Sequence, residues 1–193
     1  MARLRELKKQ LKPGKVYRRD ELTAWSNSVD RHLEELVEEK VLQKVSHGMY
    51  YVPRSTVFGT APPDEKELVK SFLKDDRFLL TSPNNYNSLG VGTTQLYNTR
   101  VVYNHKRHGE QKLGNRTFFF RMKPFFPKKL NDEFLFVDLV NNLASLAEDQ
   151  DAVLNNVKHK VAAMNEESKK KLGHAVKEFG YEKTKKFFSP LAK

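Results

Sequence analysis

The sequence predicts an α+β protein, and three features carry that expectation. Apolar residues recur at helical spacing through the first forty residues and again from residue 134 onward. Short β-rich runs bounded by glycine or proline lie between these stretches. Pro62-Pro63 then marks a break in the chain. The expected organisation is a first domain of three short helices and a hairpin over residues 1–54, a linker at 55–63, and a mixed domain over 64–193 with a small sheet and a helical carboxyl end.

Taken in order, residues 3–11 read as a helix with Leu4, Leu7 and Leu11 on one stripe and basic residues elsewhere, ended by Pro13-Gly14. Val16-Tyr17 is a short extended pair. Residues 18–25 form a second helix with Leu22 and Trp25 inward. Ser26-Asn27-Ser28 supplies cap candidates for a third helix running to about Lys40, in which Val29, Leu33, Leu36 and Val37 fall on one face. Residues 41–45 and 49–52 read as strands around a turn at Ser46-His47-Gly48, closed by Pro53. After the linker come a helix at 64–75 with Leu68, Phe72 and Leu73 inward, a strand at 78–81, and a short helix from Ser82-Pro83 to Leu89 stopped by Gly90 and Gly92. Strands at 100–103 and 116–122 flank a polar hairpin at 105–114. Helices follow at 134–148, 152–164 and 166–179, with a last piece reaching Phe188.

Composition narrows the function. The chain has 193 residues, with 35 Lys and Arg against 24 Asp and Glu, a net charge of +11 and no Cys. Disulfides and thiolate metal sites are thereby excluded. No stretch approaches the roughly 20 apolar residues of a membrane-spanning helix, and residues 1–15 lack the apolar core of a secretory signal. A cytoplasmic protein with no membrane partner is expected. The positive excess calls for a polyanion, and it is concentrated: residues 1–19 hold eight of the basic residues against the single acid Glu6.

Three short helices followed by a hairpin within about 53 residues is the order of a winged helix-turn-helix, whose third helix buries one face and offers the other to the major groove of duplex DNA. Here the side opposite Val29, Leu33 and Leu36 is centred on Asn27, Arg31, Glu34 and Glu38. Asn pairs with adenine and Arg forks onto guanine, so Asn27, Ser28 and Arg31 are the candidate base contacts, although Ser28 reads more readily as a helix cap. Candidates for holding phosphates are Arg3, Arg5, Lys8, Lys9, Lys15, Arg18 and Arg19, together with Lys44, Ser46 and His47 at the hairpin. Glu34, Glu35, Glu38 and Glu39 crowd the end of the third helix, which limits contact to its first turns or turns its acidic half to another surface.

No catalytic residue, metal or cofactor is expected. The chain lacks a Walker loop, a His-Glu-x-x-His pattern and a Gly-x-Ser-x-Gly elbow. His105 and His108 have ligand-like spacing but sit among cations, with only Glu110 to complete a set. Glu110-Gln111-Lys112 fits half of a nuclease signature whose upstream acid would be Asp75 or Asp76. Phe118-Phe119-Phe120 and Phe125-Phe126, beside Lys123, Lys128 and Lys129, read either as core or as a platform for single-stranded bases.

The run from Val29 through Leu33, Leu36 and Leu42 to Gly48-Met-Tyr-Tyr-Val-Pro53 resembles the amino-terminal domain of the AbiE-type antitoxins of bacterial type IV toxin–antitoxin systems. After the linker, Leu80-Thr81-Ser82, then Asn87-Ser-Leu89-Gly90-Val-Gly-Thr93-Thr94-Gln95, then Val101-Val102-Tyr103 follow the order of that family's second domain, so the likeness covers roughly residues 14–125. Two departures stand out. Lys40 occupies the place of a usual glycine, so a left-handed turn there must accept a side chain. Asn84 to Asn87 replaces an Ala-rich stretch. The resemblance implies a repressor of its own promoter, acting on inverted or repeated half-sites, that counters a nucleotidyltransferase-like toxin without a stable complex. The alternatives are a stand-alone regulator and, from another class, a nucleic-acid-cleaving enzyme targeted by its winged helix.

Overall fold

The leucine stripe of the first helix finds its partners in the elements that follow it. In the computed structural model, which describes residues 2–191, α1 (Ala2–Gln10) leads into β1 (Val16–Arg18), α2 (Arg19–Leu22), a 3-10 turn (Thr23–Trp25), α3 (Val29–Glu38), β2 (Gln43–Ser46) and β3 (Met49–Tyr51). The three strands form one sheet in the order β1-β3-β2. Both pairings are antiparallel, with a register shift between Lys44 and Ser46 that kinks β2. Leu7, Leu22, Val29, Leu33, Leu36, Leu42 and Val52 close over one another as a core. At about 1.5–3 kcal/mol for each large side chain removed from water, this cluster outweighs any of the polar contacts around it. The apolar face expected of α3 is the buried one, with Val37 half-buried at its edge.

His32 joins that buried face. It stands three residues after Val29 and four before Leu36, so it points inward, and its Nδ1 lies 2.7 Å from the Ser26 hydroxyl. The pairing relieves the cost of burying an imidazole among leucines. Helix α3 ends where Lys40 takes φ +59° and the Leu42 N–H donates to the Leu36 carbonyl at 2.9 Å. A left-handed non-glycine residue costs roughly 1–2 kcal/mol, offset by roughly 0.5–1 kcal/mol of chain entropy that a glycine would lose on folding. Lys40→Gly is therefore expected to raise the unfolding free energy by up to about 1 kcal/mol, read as a higher denaturant midpoint at unchanged slope.

The segment expected as linker carries a hairpin, β4 (Arg54–Thr56) with β5 (Gly59–Ala61), and the Tyr51 hydroxyl donates to the Ala61 carbonyl at 2.8 Å. Then comes α4 (Glu65–Leu73), capped by the Asp64 carboxylate, which accepts from the N–H groups of Lys66 and Glu67. Arg18 Nη1 donates to the Ser71 carbonyl at 2.7 Å, and Asp20 pairs with Lys74. These contacts explain why the first compact unit, Met1–Phe78 with Gly109–Phe118, runs past the break expected at 55–63. In the same unit the Gly114 N–H donates to the Val45 carbonyl at 2.6 Å, and Arg116 pairs with Glu65.

The second unit is Leu79–His108 with Phe119–Lys193. The elements after α4 are, in chain order, β6 (Phe78–Thr81), a 3-10 segment (Pro83–Leu89), β7 (Arg100–Asn104), β8 (Gly109–Leu113), β9 (Arg116–Met122), α5 (Asp132–Asn142), a 3-10 turn (Leu143–Ser145), α6 (Gln150–Ala162), α7 (Glu166–Phe179) and α8 (Glu182–Phe188), of which β8 and the first three residues of β9 fall in the first unit. The strand order is β6-β7-β9-β8. Residues 105–114, expected as a polar hairpin, thus contain a strand of their own. Its three central residues are exposed, as an edge position permits. Helix α5 is buried continuously from Phe134 to Leu139 and forms the core with Leu143, Val153, Val157, Val161, Leu172 and Phe188. Asn131, Asp149 and Asn165 cap α5, α6 and α7 by accepting from N–H groups of the first turn.

Asp138 lies in the middle of that apolar helix and is fully buried. Its carboxylate accepts from the Tyr86 hydroxyl at 2.8 Å and the Tyr103 hydroxyl at 2.8 Å, and Lys123 Nζ lies 3.1 Å away. Asn142, one turn on, donates back to the Asp138 carbonyl at 2.7 Å. Burial first, and the nearby carboxylate second, hold both phenols protonated well above the usual tyrosine range. Taken together, the molecule is an α+β protein, and among the described residues no helix is long and apolar enough to cross a membrane.

Candidate nucleic-acid interface

The first unit positions the expected reading helix by its ends. At its start, Arg19 Nε and Nη2 each lie 2.6 Å from the two oxygens of Asp30, a forked ion pair. The hydrogen bond from Arg19 is the main cause of an Asp30 pKa below the ordinary carboxylate range, and the Arg19 pKa is raised in turn. Asp30 also sits in the first turn of α3, where a negative charge suits the helix dipole. At the other end, Glu39 pairs with Lys8 of α1. The turn between β2 and β3 is tied down as well, since the Arg19 N–H donates to the Gly48 carbonyl at 2.9 Å. Gly48 has φ +64°, a backbone state that glycine adopts without strain.

Asn27, Ser28 and Arg31 are all exposed at the amino-terminal end of α3. Ser28 occupies the cap position, but its side chain makes no cap hydrogen bond. Glu34 and Glu38 follow on the side of Arg31, and both are exposed.

The basic residues divide into two groups. Lys8, Arg18 and Arg19 are engaged with Glu39, with Asp20 and the Ser71 carbonyl, and with Asp30 respectively. Arg5, Lys9, Lys15 and Lys44 are exposed, as is His47 at the hairpin turn, whereas Ser46 is half-buried. The Arg3 side chain lies outside the described residues.

Several of these pairs escaped the sequence reading. The partners of Arg19, Lys8 and Arg18 lie 11, 31 and 53 residues along the chain, beyond the reach of any local pattern. His32 did leave a signal, its place on the apolar face of α3. The hairpin tip at Val57 and Phe58, 94% and 98% exposed, was hidden within a segment that reads as linker.

Elsewhere several of the side chains singled out for chemistry have other occupations. Among the described residues no group of three or more His, Asp or Glu is placed to hold a metal ion. His105 is stacked on Phe126 with centroids 4.7 Å apart, and the Asn104 side chain builds the turn at 105–108 by accepting from the N–H groups of Lys106 and Arg107. Asp75 accepts from the Arg77 N–H at 3.0 Å. Phe118 and Phe120 are buried, Phe125 is 60% exposed, and Lys123 is buried against Asp138.

A family model described as a family of unknown function matches residues 3–172. No curated protein and no solved structure matches the chain.

Proposed function

The chain belongs to the DUF6088 family, and from its own geometry we propose that it is a winged helix-turn-helix regulator that binds duplex DNA through the amino-terminal turns of α3. The observation that carries this reading is the division of labour on that helix. One face is sealed by Val29, Leu33 and Leu36, while Asn27, Ser28 and Arg31 stay exposed at the end that the Arg19–Asp30 pair holds in place. A β1-β3-β2 sheet with a tight β2–β3 turn accompanies it, as in a helix with a wing beside it. Exposed cations at Arg5, Lys9, Lys15 and Lys44 supply the sequence-independent attraction to phosphates. In this reading the protein acts in the cytoplasm and carries no catalysis.

The resemblance to AbiE-type antitoxins extends the proposal to autorepression and to neutralising a nucleotidyltransferase-like toxin. Expression of the neighbouring gene with and without this chain tests that extension: restored growth supports it, and an innocuous neighbour removes it.

The DNA reading is tested by titrating the full chain against its own promoter fragment and a scrambled duplex. Arg31→Ala is expected to erode the preference for the promoter by about 1–3 kcal/mol, the worth of a forked base contact, while binding to the scrambled duplex changes far less. If the full chain ignores both duplexes at low salt, the reading fails. An unchanged preference in Arg31→Ala would instead remove the assignment of the reading face.

A further inference from the structure

The second unit holds a cavity of about 250 Å³ that the proposed DNA reading does not use. It lies on one face of the sheet, since Thr81 of β6, Val101 and Tyr103 of β7, and Phe119 and Arg121 of β9 all line it, and each pair within a strand is two residues apart. Asn142 of α5 and Tyr97 of the loop that leads into β7 line it too. Its walls combine aromatic and aliphatic side chains with a few neutral polar ones, and Arg121 is the single charged group among them.

The charges around this cavity do not cancel. Asp138 is the one carboxylate of the cluster, and it is committed to Lys123 at 3.1 Å and to the hydroxyls of Tyr86 and Tyr103. Arg121 is half-buried and donates through Nη1 to the side-chain oxygen of Asn142 at 2.8 Å. That partner is neutral, so the positive charge is left over. A guanidinium has five donors in a planar fork suited to a carboxylate, and withdrawing it from water without a counter-charge is costly. The Thr81 hydroxyl is buried with no hydrogen-bond partner in the same lining. Such an orphaned group calls for an explanation.

The lining is also held rigid before anything binds. The backbone N–H of Tyr97 donates to Asn84 at 2.6 Å, and its hydroxyl accepts from the Ala147 N–H at 2.9 Å. Asp138 fixes the two other tyrosines, and Asn142 fixes Arg121. A pocket with its polar groups already aimed loses little entropy on binding.

We propose that this cavity binds a small aromatic carboxylate, its ring against Phe119 and the tyrosines and its carboxylate on Arg121. The volume falls below the range of drug-sized ligands, roughly 300–1,000 Å³, which limits the guest to about one ring. Calorimetric titration of the full chain with benzoate tests the proposal, with benzyl alcohol and inorganic phosphate as comparison probes. Saturable one-to-one binding of benzoate is expected, at least tenfold tighter than that of either comparison probe, and lost in Arg121→Met. Equal binding of benzyl alcohol would overturn the role of the cation, and tighter binding of phosphate would overturn the aromatic assignment. Because Arg121→Met could lower stability, the unaltered chain supplies a second measurement. Intermolecular NOEs from the benzoate ring protons to Tyr97 and Phe119 are expected, and their absence overturns the site.

Discussion

Asp138→Ala is expected to lower the unfolding free energy by about 3–5 kcal/mol, the cost of breaking a buried ion pair by removing one partner. The loss has three parts. Lys123, 9% exposed, is left as a charge with no carboxylate. The hydroxyls of Tyr86 and Tyr103 lose the acceptor that holds them at 2.8 Å. Removing the carboxylate also opens a void in a helix buried from Phe134 to Leu139. Most domains have only about 5–15 kcal/mol of stability in total, so the substitution threatens the fold of the second unit itself. Asp138→Asn keeps the shape and one acceptor oxygen but still abandons Lys123, and a smaller loss is expected. Pairing Asp138→Ala with Lys123→Met separates the terms: if the double variant recovers much of the loss, the unpaired ammonium dominates. Denaturant unfolding of the four proteins measures this. A loss below about 1 kcal/mol in Asp138→Ala would mean that water reaches the cluster and replaces the carboxylate.

Asp138 also illustrates what could be read from the sequence and what could not. The helix containing it is plain from the run Phe134-Leu-Phe-Val-Asp138-Leu-Val, and an acid inside such a run signals a buried partner. The partner itself is not legible, because Tyr86, Tyr103 and Lys123 lie 52, 35 and 15 residues away. Helix α3 is the opposite case. Its burial pattern follows from apolar spacing alone, and the left-handed turn at Lys40 is expected only from a resemblance to sequences that carry glycine there. Strand β8 went unread because Gly109-Glu-Gln-Lys-Leu113 is polar on both faces apart from its end. An exposed edge strand needs no apolar alternation, so its pairing with β9 leaves no local signature. The candidate DNA contacts rest on residue type and position alone. What sequence could not tell is which cations are spent on partners within the fold.

That distinction sets the largest effect expected of the proposed DNA binding. If Arg5, Lys9, Lys15 and Lys44 each neutralise a phosphate, the logarithm of affinity should fall with the logarithm of salt concentration at a slope of about −3.6. Between about 50 and 200 mM salt the full chain would lose roughly 150-fold in affinity for any duplex. Single substitutions then sort the cations. Lys9→Ala and Lys15→Ala should each flatten the slope by about 0.9, since both side chains are exposed and can displace counterions from a duplex. Lys8→Ala and Arg19→Ala should flatten it by less than half as much, because Glu39 and Asp30 already stand in for the counterion. Arg19→Ala carries a second effect. Without the fork on Asp30 the start of α3 loses its brace, so preference for the promoter should fall even as the salt slope stays near that of the unaltered chain. Fluorescence anisotropy of labelled duplexes across a salt series reads both quantities from the same samples. Equal slope changes in all four variants would show that the intramolecular pairs open on binding, and no change in any of them would place the phosphate contacts on some other surface of the protein.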